Sequence, residues 1–157
     1  METVPWCTLR VGLCSRSSKR DTSKVSKNEA LKKLETWLKR RGFSFVVRND
    51  VHWFVDVRSK IVYGNNVDFQ GMDKVAVLLH ECGHIIRLKK RYTPPRQPPM
   101  QPPKRGKPSD SWYIGFVHEE MDAWDEAARL ASRLGLKGVR SALVRTRARC
   151  LMGYMTW

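Results

Sequence analysis

Residues 75–87 read V-A-V-L-L-H-E-C-G-H-I-I-R, and the rest of the chain is best read outward from them. Within the run, His80, Glu81, Cys82, Gly83 and His84 form the pattern H-E-x-x-H. Residues four apart on an α-helix share one face, one turn above the other. His80 and His84 can therefore aim at a single point, where two neutral imidazoles suit a metal ion such as Zn2+. Uncharged ligands leave the cation most of its charge, which lowers the pKa of its water to about 7. Glu81, next to the first histidine, can hold that water and act as the catalytic base. Val75, Val77, Leu78 and Leu79 precede the first histidine, and Ile85, Ile86 and Leu88 follow the second. A buried helix is expected, in which unpartnered histidines would be costly. The plainer alternative is a core helix whose two histidines are simply hydrogen-bonded.

A catalytic zinc usually has three protein ligands and a water. One arrangement places a third histidine six residues after the second, with a glycine between, but those positions hold Lys90 and Arg87. The next donors lie in residues 118–128, H-E-E-M-D-A-W-D-E-A-A, which read as a helix of strong formers. His118, Glu119 and Glu120 all offer a ligand atom there. H-E-x-G-H followed downstream by E-x-x-A on a second helix resembles the Glu-zincin metallopeptidases. In layout it resembles the short ImmA/IrrE-like members found in phages and mobile elements. The resemblance spans roughly residues 28–88 and 112–134. With residues 120–123, E-M-D-A, aligned on E-x-x-A, it implies Glu120 as the third ligand, with Glu119 and His118 as alternatives. It also implies that the small Ala123 lets the two helices approach. Trp124 stands where such families often carry a polar residue. A weaker resemblance is to SprT/Spartan-like proteases, which pair peptidase chemistry with a basic surface but usually take a third histidine.

The 157 residues fit one domain able to bury its own core, and 41% apolar content is ordinary for one. The 30 Lys and Arg against 15 Asp and Glu are not ordinary: a net charge of +15 implies attraction to a polyanion, with DNA or RNA as the leading partner. The charge also carries a reading of another class, a nucleic-acid-binding or virion-assembly protein on the same scaffold with a structural metal or none. Cys7, Cys14, Cys82 and Cys150 form neither a C-x-x-C pair nor a disulfide framework, so a reducing compartment is expected. That means the cytoplasm, or carriage in a phage particle. No run approaches the ~18 apolar residues of a membrane span, and no signal-peptide h-region is evident.

Residues 1–25 read as a flexible basic arm, and residues 26–157 as a single domain with a Pro-rich basic insert at 89–110. Ser26 to Glu29 fits a capping box, opening a helix that stops at Gly42. Residues 43–48 and 51–57 are aromatic and β-branched, and Asn49-Asp50 between them predicts a tight turn. A third strand is expected at 61–63. The resemblance implies that residues 60–63 border the cleft and offer an edge to peptide substrate. Seven of the eight prolines fall in the insert, which predicts an extended loop. A second long helix at 111–134 carries a dense acidic stretch, and a last one at 137–151 is basic. Lys89, Lys90, Arg91, Lys104, Arg105, Arg145, Arg147 and Arg149 are the expected nucleic-acid contacts. The expected fold class is α+β: a small zincin-like domain with a three-stranded, mainly antiparallel sheet. The function implied is a zinc-dependent metallopeptidase acting on a nucleic-acid-associated protein. His80, His84 and Glu120 would be its ligands, Glu81 its base, and Tyr92, Tyr113 or His52 the oxyanion partner.

Overall fold

The computed structural model describes residues 25–91 and 109–155. The arm before residue 25, Tyr92, Lys104, Arg105 and the side chains of Lys89, Lys90 and Arg91 lie outside the described residues. The order of elements is α1 (Lys27–Lys39), β1 (Ser44–Val47), β2 (Phe54–Asp56), β3 (Ile61–Gly64), α2 (Gly71–Arg91), α3 (Asp110–Arg133) and α4 (Arg140–Met155). The class is α+β with a small sheet. Among the described residues no helix is long and apolar enough to cross a membrane.

Helix α1 starts after Ser26 and stops before Gly42 as its sequence predicts, with the Ser26 half of the expected capping box formed. Ser26 caps it, its Oγ accepting from the Glu29 amide at 3.2 Å. The Glu29 side chain pairs forward with Lys33 at 3.1 Å. At the exit, Gly42 N donates to Lys39 O and Phe43 N to Leu38 O. The φ of +77° at Gly42 is one that glycine adopts without strain. Ala30, Leu34, Trp37 and Leu38 form its buried side.

The sheet differs from the mainly antiparallel expectation. Its order is β1-β3-β2, with β1 parallel and β2 antiparallel to β3. Strands β1 and β2 do not form a hairpin across Asn49-Asp50. The turn is closed locally by a two-pronged ion pair from Arg48 to Asp50 at 3.0 and 2.6 Å. The chain then crosses the end of β3: Arg48 N donates to Gly64 O, and Asn65 Nδ2 donates to Val51 O. Trp53 lies over Gly64 and stacks on Phe45, with ring centroids 5.9 Å apart. A Cβ at position 64 would sit 2.7 Å from the Trp53 ring, so the crossing needs glycine there. Because β3 is central, both its edges are occupied, and residues 60–63 cannot offer an edge to a peptide. Strand β2 instead lies at an edge of the sheet.

Helix α2 is the hub, packing on α1, α3, α4 and β2. Val75, Ala76, Leu78, Leu79, Cys82 and Ile85 lie in the core with Val62 of β3 and Trp124, Ala127 and Leu130 of α3. The contact between α2 and α3 is backbone to backbone at one point. A Cβ at Gly83 would lie 2.1 Å from the carbonyl oxygen of Ala123. Two small residues therefore set the distance between the helices. Helix α3 is capped by Ser109, which accepts from the Trp112 amide. Its acidic groups bind the bundle together: Asp122 pairs with Arg87 of α2 at 2.6 Å and Asp125 with Arg147 of α4 at 2.8 Å.

Candidate metal centre

His80 and His84 lie one turn apart on α2, on the side that meets α3, and Glu120 faces them. The two Nε2 atoms are 3.1 Å apart. Glu120 Oε2 lies 3.1 Å from His80 Nε2, and Oε1 lies 3.5 Å from His84 Nε2. His80 and Glu120 are buried, while His84 opens towards solvent. Gly83 makes this possible. It stands one residue before His84, and the close approach to Ala123 carries Glu120, one turn earlier on α3, up to both imidazoles.

Do these residues fit a metal ion? Bonds of about 2.0–2.1 Å in a tetrahedron give donor separations of about 3.3–3.4 Å. The two imidazole nitrogens are 3.1 Å apart, and each has one Glu120 carboxylate oxygen near that distance, Oε2 at 3.1 Å from His80 and Oε1 at 3.5 Å from His84. Two imidazoles and one carboxylate are the donor types a first-row divalent cation such as zinc takes, with a fourth position left for water. Among the described residues, His80, His84 and Glu120 form a group able to hold a cation. Of the alternatives to Glu120, Glu119 lines the cleft without joining the group, and His118 is exposed.

Glu81 is only 5% exposed. Burial raises its carboxyl from 4.5 to about 7, against a smaller opposing pull from His80 and with Glu120 adding to the rise. Such a group exchanges a proton readily near neutrality. Burial also pushes the thiols of Cys82 and Cys150 up, Cys150 to about 11, so neither is a thiolate at neutral pH.

The site opens into a cleft of about 330 Å³. His80, Glu81, His84 and Glu120 lie on one side, and Trp53, Phe54, Val55 and Val57 of the β2 segment on the other. The backbone of β2 has a free edge here. Ser44 N donates to Lys60 O and Arg48 N to Gly64 O, at the two ends of the β1–β3 ladder. Backbone groups alternate in direction along a strand, so Val62 and Gly64 serve β1 while Ile61 and Tyr63 serve β2. Phe54 and Asp56 stand opposite Tyr63 and Ile61. The N–H and C=O of Val55 are thereby left on the outer edge, where no described strand pairs.

Three features of this site escaped the sequence reading. The cleft-side edge is β2, not 60–63. Arg87, noted in the sequence only as standing where another ligand arrangement needs glycine, lines the cleft from the turn after His84. Trp124 stacks on His80, and its spacing of four from Glu120 was the available signal. The oxyanion candidates fare differently. His52 is almost wholly exposed beside Asp68, Tyr113 is absent from the cleft wall, and Tyr92 lies outside the described residues. The expected nucleic-acid contacts on α4 are engaged within the molecule. Arg145 pairs with Asp73, Arg147 with Asp125, and Arg149 reaches Asp68 O and lies over the Phe69 ring at 4.9 Å.

Comparison of the chain with protein-family models, with curated proteins and with solved structures finds no match.

Proposed function

We propose that the chain is a metal-dependent peptidase, with zinc the expected ion, that hydrolyses peptide bonds in a protein substrate. One observation carries this reading: the convergence of His80 Nε2, His84 Nε2 and the Glu120 carboxylate on a cleft that Glu81 shares. A divalent cation held by those three residues would supply the charge that acidifies water and polarises the scissile carbonyl. Glu81 takes a proton from water on a carboxylate oxygen and passes it to the leaving amine nitrogen. The outer edge of β2 aligns an extended substrate through the Val55 amide and carbonyl, in the manner of an added strand. Trp53, Phe54, Val57 and Leu88 give the cleft apolar walls, and Arg87 offers donors to a substrate carbonyl or carboxylate. The resemblance to ImmA/IrrE-like Glu-zincins is in keeping with this chemistry.

The net charge of +15 supports a substrate that is itself bound to nucleic acid. The same charge favours a second reading, a nucleic-acid-binding or assembly protein whose metal is structural. Glu81 separates the two. Glu81→Gln keeps the volume and loses the base, so it should retain metal and lose proteolysis of an unfolded protein substrate by at least about 100-fold. Undiminished proteolysis by that variant would rule out the mechanism.

A further inference from the structure

We infer that Trp124 is the residue that orients His80, holding the imidazole by ring stacking where a hydrogen bond ordinarily does so. This rests on the metal-centre reading proposed above. A metal-bound histidine usually donates its second ring N–H to a carboxylate, a carbonyl or water, which fixes the ring and its tautomer. His80 turns Nε2 towards Glu120 and His84. Its other nitrogen, Nδ1, is buried and has no hydrogen-bond partner among the described residues. The ring is nonetheless held. The Trp124 indole lies against it, with centroids 4.3 Å apart and planes 18° from parallel.

Trp124 is itself locked in place. It is 2% exposed, and its Nε1 is also buried without a hydrogen-bond partner among the described residues, so packing there fixes the indole. Position on α3 explains the arrangement. Glu120, Ala123 and Trp124 are spaced i, i+3, i+4 and share the face towards α2. Ala123 meets the backbone at Gly83, Glu120 reaches both imidazoles, and Trp124 covers the flat side of the inner one. One helix face thus supplies a donor and the device that aims another donor. The arrangement has a chemical consequence. A hydrogen-bond acceptor on the second nitrogen makes a histidine a more basic ligand. With no acceptor for Nδ1 among the described residues, His80 would donate less charge and leave a bound cation more electron-poor.

The test uses the full chain loaded with Co2+, whose visible ligand-field band reports ligand geometry without any turnover, and Zn2+ affinity by chelator competition. Wild type, Trp124→Phe and Trp124→Leu are compared with Leu34→Ala, a core variant on α1 that does not line the cleft. The inference expects Trp124→Leu to shift the Co2+ band and weaken Zn2+ binding by about 10-fold or more. Trp124→Phe, which keeps a flat ring, restores most of both, and Leu34→Ala loses stability with the band unchanged. An unaltered band and affinity in Trp124→Leu, or equal losses in Leu34→Ala, would overturn the role given to Trp124 while leaving the metal centre standing. Absence of Co2+ and Zn2+ binding by wild type would instead overturn the metal centre, and this inference with it. Should Trp124→Leu fail to fold, Trp124→Met is read in its place by the same criteria.

Discussion

Glu81 is a carboxyl kept almost wholly from water beside two histidines and a second carboxyl. Its ionisation in the metal-free protein costs folding energy. The folded group titrates at about 7 against 4.5 without burial, so the native state holds a proton that the unfolded chain has already released. Stability from this group is therefore whole below pH 4.5, falls as pH rises towards 7, and is level above. The full span is on the order of 3 kcal/mol, at about 1.4 kcal/mol per pH unit. Urea unfolding in chelator should show metal-free wild type losing stability relative to Glu81→Gln across that window. Parallel curves for the two would contradict the burial argument. A cation at the site favours the carboxylate and should flatten the difference.

At the scale of elements, the α2–α3 crossing decides whether the site exists. Alanine in place of glycine inside a helix ordinarily gains about 1 kcal/mol. At Gly83 the new methyl would meet the Ala123 carbonyl at 2.1 Å, so the helices must part. Gly83→Ala should lower stability in urea and weaken Zn2+ binding by about 10-fold or more, since Glu120 retreats with α3. A more stable variant with unchanged affinity would show that the close approach is not needed. The elements themselves were largely legible. Ser26 and Gly42 mark the ends of α1 by local rules, and the i, i+4 histidines mark one face of α2. E-x-x-A at 120–123 pointed to the helix position that does face them. The strand order was not legible. Asn49-Asp50 looks like a hairpin turn, but Trp53 over Gly64 and the Arg48–Gly64 bond carry β2 to the far edge of β3. Those contacts join residues 11 to 16 positions apart in sequence, and no local pattern encodes them. The stacking of Trp124 on His80 was hidden for the same reason, because it depends on how two helices cross.

Across the whole molecule, the excess of positive charge and the concentration of acid on α3 answer one another. Asp122 and Asp125 draw in Arg87 and Arg147, tying α2 and α4 to the helix that carries Glu120. These pairs are partly exposed, so each contributes modestly, about 0.2–1 kcal/mol. Arg147→Gln should lower unfolding stability within that range, and more so at low salt. No change at low salt would remove α4 from this set of clamps. The proposed chemistry depends on the metal. The decisive measurement is the zinc content of purified wild type beside His84→Ala and Glu120→Ala. Near-stoichiometric zinc is expected in wild type, lost in His84→Ala and sharply weakened in Glu120→Ala. Wild-type protein that takes up no zinc when it is supplied, or full occupancy in both variants, would contradict the proposed metal centre.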